Sequence, residues 1–230
     1  MKTDMTYAQF AQCIDQTLLR PDGTRKDTVN FVERSAGEGF ATICVLPSWV
    51  ADASDILDGS LTKVCSVIGF PHGNAPPGAK EVEAALVVAD GAHELDMVIN
   101  VSALRSGAEL IVFEEIERVV AASQRGGAIV KVILECAYLT DDEIRRACKL
   151  AEEAGALFVK TSTGFASRGA SVADITLMRA SVSEHMAVKA SGGIKALSFA
   201  MDLLNAGAAR LGTSAGFELL EEFRQVRGPH

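Results

Sequence analysis

No stretch of this sequence approaches the ~20 consecutive apolar residues that a bilayer-spanning helix needs. The opening Met1-Lys2-Thr3-Asp4-Met5-Thr6 lacks both the apolar core and the small-residue cleavage site of a secretion signal. A cytoplasmic protein is expected. Basic residues are scattered, and 22 Lys and Arg against 30 Asp and Glu give a net charge of −8. The electrostatic footprint of a nucleic-acid or anionic-membrane binder is therefore missing. Cysteine is scarce and odd in number: Cys13, Cys44, Cys65, Cys136 and Cys148 include no C-x-x-C, which points to buried thiols instead of a disulfide framework or zinc knuckle. His72, His93, His185 and His230 show no close ligand spacing, so neither a metal nor another cofactor is expected. No linker or low-complexity segment interrupts the chain, and residues 1–230 read as one domain.

What the chain does contain is a repeated unit. Short apolar, β-branched runs at residues 15–19, 41–46, 63–70, 94–100, 129–136, 157–160, 186–189 and 209–212 alternate with longer helical patterns. Parallel strands with crossover helices read this way. Gly39, Gly91, Gly127, Gly155 and Gly207 are each separated by one or two residues from the start of such a run. Thr140 and Glu143 form a capping box, Ile144, Ala147, Cys148 and Ala151 repeat at helical spacing, and Gly155 stands where a C-terminal cap belongs. Leu110, Phe113, Ile116 and Val120 mark a second apolar face, and Pro76-Pro77 opens a helix carrying Val82, Ala85, Leu86 and Ala89. Neither G-x-G-x-x-G nor a P-loop is present, which removes the usual marker of an open doubly wound sheet. The expected fold is α/β, a (β/α)8 TIM barrel.

In such a barrel the chemistry sits where strands end. Two neighbouring runs end in lysine: Lys160, followed by Thr161-Ser162-Thr163-Gly164, and Lys189, followed by Ala190-Ser191-Gly192-Gly193. Desolvation and mutual repulsion are both expected to lower the pKa of at least one of this pair, and a neutral amine attacks carbonyls. Snorkelling to the rim with carboxylate partners is the alternative. Asp96 interrupts the fourth run, where a lysine reaching into the same mouth would partner it. Asp15 and Cys44 are positioned to line that mouth as well, though a structural role accounts more simply for each. Gly164, Gly192, Gly193 and the Gly212-Thr213-Ser214 turn follow the last three runs and precede helical segments, an arrangement suited to a phosphate.

With these residues in view, the sequence resembles the deoxyribose-phosphate aldolases, class I aldolases built on a β/α barrel. The likeness runs almost end to end, through Ile14 to Leu19, Cys44 to Val50, Val67 to Gly73, Glu94 to Asn100, Val130 to Glu135, Val159 to Gly164 and Val188 to Gly193. It implies that Lys160 forms a Schiff base, that Lys189 and Asp96 move protons around it, and that Gly164, Gly192, Gly193 and Ser214 hold the substrate phosphate. The implied reaction joins acetaldehyde to D-glyceraldehyde 3-phosphate, reversibly, giving 2-deoxy-D-ribose 5-phosphate. The resemblance also implies a homo-oligomer, with a dimer plausible, and partners limited to small phosphorylated sugars and aldehydes. The chain departs from the family pattern at Gln16, where His is common, at Arg20, where Lys is common, and at Ala215, where a second Ser is often found. Its tail, Glu221 to His230, carries no tyrosine. Two rivals remain at this stage: another phosphate-binding barrel lyase or isomerase, and a catalytically silent barrel scaffold.

Overall fold

The computed structural model describes residues 5–227; the start of the N-terminal segment, 1–4, and the end of the tail, 228–230, lie outside the described residues. Helix α1 (Tyr7–Ala11) leads into β1 (Ile14–Leu18), α2 (Arg25–Ser35), β2 (Thr42–Val45), α3 (Val50–Ile56) and β3 (Lys63–Ile68). There follow α4 (Pro77–Ala89), β4 (Glu94–Val98), α5 (Val101–Arg105), α6 (Glu109–Gln124) and β5 (Ile129–Ile133). The chain continues through α7 (Asp141–Glu153), β6 (Phe158–Lys160), α8 (Val172–Ser181), β7 (Ala187–Ser191), α9 (Leu197–Asn205), β8 (Arg210–Thr213) and α10 (Gly216–Arg227). Successive strands pair in parallel, and β8 returns to β1 through Ile14↔Leu211, Asp15↔Gly212 and Gln16↔Thr213. The sheet is a closed (β/α)8 barrel, so the doubly wound alternative is excluded. Each of the eight apolar runs overlaps a strand; β1, β7 and β8 extend one or two residues beyond theirs, so that Lys189 lies inside β7, and the runs at 63–70, 94–100 and 129–136 overshoot because the apolar stretch continues into the loop above the barrel.

Local sequence explains the helix boundaries. Thr140 accepts the Glu143 N–H while the Glu143 side chain accepts the Thr140 N–H, and Gly155 follows α7 at φ +84°. That left-handed conformation, costly for a residue with a Cβ, turns the chain from helix into the next strand.

Two helix faces differ from the sequence reading. In α4 the buried residues are Lys80, Ala84 and Val87, whereas Val82, Ala85, Leu86 and Ala89 are exposed. In α6 Leu110 is exposed and Phe113 only half-buried, while the stripe facing the barrel is Val112, Glu115, Ile116, Val119, Val120 and Ser123. The cause is an ion pair on the inner faces. Lys80 Nζ meets Glu115 Oε2 at 2.7 Å and donates to the Val98 carbonyl at 2.8 Å, while Glu115 Oε1 accepts the Asn100 N–H at 2.6 Å. A buried charge is tolerated when paired and hydrogen-bonded in this way. The pair ties both helices to the end of β4.

The large apolar core lies between the sheet and the helices, where Ile14, Ile43, Leu95, Met97, Val130, Val132, Val159 and Leu211 point outward from the strands. Alternation along a strand turns the intervening residues into the barrel. There Cys44, Cys65 and Val67 form a small apolar cluster beside a layer of ionised side chains.

Candidate active site

The ionised layer follows from strand register. Lys160 lies opposite Lys189, Lys189 opposite Arg210, and Asp96 opposite Lys131. Asp96 Oδ2 receives Lys160 Nζ at 2.6 Å and Lys189 Nζ at 2.7 Å, and its other oxygen receives Lys131 Nζ at 2.7 Å. Lys189 also meets Asp15 Oδ2 at 2.5 Å, Lys131 meets Glu94 at 2.7 Å, and Arg210 meets Asp15 Oδ1 at 2.5 Å. Room for Lys189 comes from Gly212, where a Cβ would stand 3.0 Å from Lys189 Cε. Four basic groups, Lys131, Lys160, Lys189 and Arg210, thus face three carboxylates, Asp15, Glu94 and Asp96. One cation is in excess, and Lys160 holds the fewest carboxylate contacts, sharing its single oxygen with Lys189.

The lysine pair therefore does not stand in open repulsion. Burial acts to lower the Lys189 pKa, but Asp15 and Asp96 outweigh it and hold the ammonium above its ordinary range. Of the pair, Lys189 is the one held as an ammonium beside Lys160. Burial likewise works against ionisation of Asp96, and the charges of Lys131, Lys160 and Lys189 reverse that and hold the carboxyl well below the usual range. Asp15 behaves in the same manner under Lys189, Lys131 and Arg210.

Above this layer opens a cavity of about 380 Å³ whose lining includes Lys160, Gly164, Gly192, Gly193 and Ser214. The volume suits a small metabolite. The structure brings together every residue expected around the phosphate, and Lys160, 3% exposed, forms the cavity floor. Asp96 and Lys189 lie directly beneath it, fully buried. Asp15 and Cys44 do not line the mouth; both are buried below, Asp15 as the counter-ion of Lys189 and Cys44 next to Cys65 in strand register. The Sγ atoms of Cys44 and Cys65 lie with an Asp96 oxygen within 4.8 Å of one another. Three ammonium groups already compensate that carboxylate, so a metal cation does not fit there.

Not every helix-start N–H faces the cavity. Ala215 N–H is taken by Thr213 Oγ1 at 2.9 Å and Gly216 N–H by Gln16 Oε1 at 3.0 Å. Arg20 and Lys195 add positive charge to the lining. Lys195 escaped the sequence reading, as did Lys131, although Lys131 breaks Ile129-Val130-Lys131-Val132-Ile133 just as Asp96 breaks its own strand. Glu135 was missed too. It is buried at φ +57°, the only positive value among described residues other than glycine, and its Oε2 accepts both the N–H and the hydroxyl of Thr163.

The sequence model of the DeoC/LacD family of aldolases matches residues 9–221. The chain belongs to this aldolase family. It is 46% identical over 212 residues to the deoxyribose-phosphate aldolase of a Geobacillus species, covering 92% of this chain and 95% of that one. It is 44% identical over 226 residues to the deoxyribose-phosphate aldolase of Caldanaerobacter subterraneus, covering 98% of both chains. A solved deoxyribose phosphate aldolase from Aeropyrum pernix, described as a tetramer, superposes with a TM-score of 0.87 at 35% identity, over 96% of this chain and 93% of that one. The protein is thus an aldolase, a carbon–carbon lyase, and the silent-scaffold alternative falls.

Proposed function

We propose that the chain cleaves 2-deoxy-D-ribose 5-phosphate reversibly into D-glyceraldehyde 3-phosphate and acetaldehyde through a Schiff base on Lys160. The observation that carries this reading is the convergence of Lys160 and Lys189 on one Asp96 oxygen at the floor of the cavity. Lys160 holds the fewest carboxylate contacts of the four basic groups. Its amine attacks C1 of the open-chain sugar, and the carbinolamine loses water to give an iminium. Loss of the C3 hydroxyl proton then drives cleavage of the C2–C3 bond, whose electron pair flows into the iminium to leave an enamine on Lys160 and free glyceraldehyde 3-phosphate. Protonation of the enamine carbon and hydrolysis of the imine, which consumes the water lost earlier, release acetaldehyde. Asp96 accepts and Lys189 supplies protons in the carbinolamine steps. Gly164, Gly192, Gly193 and Ser214, with the charges of Arg20 and Lys195, hold the phosphate and so place C1 over Lys160.

Several broader assignments support the same reading. We read residues 1–230 as one catalytic domain acting in the cytoplasm; no helix among the described residues is long and apolar enough to cross a membrane. A homo-oligomer accords with the tetramer described for the Aeropyrum relative. The test is direct: incubation with 2-deoxy-D-ribose 5-phosphate, with and without a chelator, followed by assay of both aldehydes. Equal amounts of the two aldehydes, undiminished by chelation and abolished by Lys160→Met, are expected. Absence of acetaldehyde, or full activity in Lys160→Met, overturns the proposal.

A further inference from the structure

Gln16 lies on β1 between Asp15 and Thr17, is fully buried, and faces α10 from behind the barrel wall. Its Oε1 accepts the Gly216 N–H at 3.0 Å, while its Nε2 has no hydrogen-bond partner. Burying an amide with one end unsatisfied is costly, so the contact at the other end carries the reason for an amide at this position. Gly216 is the first residue of α10, and its N–H belongs to the group of donors that a helix start leaves without an intrahelical acceptor. A Cβ at Gly216 would stand 2.4 Å from Gln16 Oε1 and 3.0 Å from Phe40 Cε1. Only glycine lets the helix start come this close to β1.

The turn held by this contact is the one that lines the cavity. Thr213 and Ser214 are among the residues lining the cavity, as is Thr17, the residue after Gln16. Gln16↔Thr213 is also the last register pair closing the barrel between β1 and β8. We infer that Gln16 is a positioning residue for phosphate recognition: by holding Gly216 it sets the Thr213–Gly216 turn so that Ser214 meets the phosphate of the substrate. The inference rests on the phosphate reading above. It gives a role to a departure from the family pattern that the chemistry at Lys160 does not use.

The test compares steady-state kinetics on 2-deoxyribose 5-phosphate and on unphosphorylated 2-deoxyribose. Gln16→Met keeps the volume and removes the acceptor, and Gly216→Ala displaces the same acceptor from the opposite side. Each variant is expected to raise KM for the phosphorylated sugar about fivefold, the size of one neutral hydrogen bond, with kcat unchanged and kcat/KM for 2-deoxyribose unchanged. Circular dichroism checks folding, and if Gln16→Met does not fold, Gly216→Ala alone decides. Equal losses on both sugars, or no loss on either, overturn the inference. A parent enzyme that treats the two sugars alike overturns the phosphate reading itself, and the positioning role with it.

Discussion

Lys160 and Lys189, cross-strand partners on β6 and β7, close on the same oxygen of Asp96 at 2.6 and 2.7 Å. Because Asp15 and Asp96 favour the Lys189 ammonium, a positive charge stands beside the proposed nucleophile in the resting enzyme, and that ammonium is the proposed proton donor of the carbinolamine steps. Lys189→Met removes that charge and leaves Asp96 to Lys131 and Lys160. The variant is expected to lose about 10²- to 10⁴-fold in kcat, the usual worth of a positioned proton-transfer group, and to recover part of the loss as pH rises. The pH profile of kcat/KM from pH 6 to 10 checks this; a profile parallel to the parent's contradicts it.

Lys131 is expected to matter for stability as much as for rate. Its ammonium lies 2.7 Å from both Glu94 and Asp96, and Lys131→Met would leave two buried carboxylates short of a partner. Breaking a buried pair from one side costs about 3–5 kcal/mol. Urea unfolding should register a loss of that order, and Lys131→Met combined with Glu94→Gln should restore part of it. A double variant no more stable than the single one would show that the charge imbalance is not the cause.

Acid stability follows from the depressed carboxyls of Asp15 and Asp96. A carboxyl whose folded pKa lies below its unfolded value contributes stability that is complete above about pH 5 and is lost as pH falls through the folded value. The stability contributed by these two carboxyls should therefore hold steady from pH 7 to about pH 5 and then decline. In Asp96→Asn, which is expected to be inactive, this acid decline should be shallower than in the parent. Chemical denaturation at a series of pH values measures both slopes, and identical slopes would contradict the linkage.

Glu135 carries the opposite sign. Burial pushes its carboxyl above the ordinary range despite the hydrogen bonds from Thr163. Stability is therefore lost as pH rises from the unfolded value through the raised folded one. Glu135→Gln keeps an oxygen for Thr163 and removes the charge, so it should be more stable than the parent at pH 8, with a higher Tm, and match the parent near pH 4. Scanning calorimetry at the two pH values checks the expectation; a Tm lower at pH 8 than the parent's would contradict it.

The strands were legible because each is a short apolar run closed by glycine or a polar loop, and parallel strands buried on both faces give little else to confuse the reading. The lysine pair was legible for a related reason, since Lys160 and Lys189 directly end two such runs. Lys131 was missed although, like Asp96, it interrupts the middle of its strand; their pairing across β4 and β5 is what places both in the shared interior. Helix faces were harder. In α4 apolar residues occur nearly all round, so periodicity could not choose between Val82 and Leu86 on one side and Ala84 and Val87 on the other, and the true inner face carries the charged Lys80. The direction of the Lys189 pKa shift was out of reach for another reason: it depends on Asp15, which sequence separates from Lys189 by most of the chain and barrel closure brings to 2.5 Å.

The central claim, that Lys160 is the amine that captures the aldehyde, is tested most directly by trapping. Acetaldehyde and borohydride added to the enzyme should leave one reduced two-carbon adduct, and peptide mass spectrometry should map it to Lys160, with none at Lys131, Lys189 or Lys195. An adduct on a different lysine, or an active enzyme that forms none, would contradict the account.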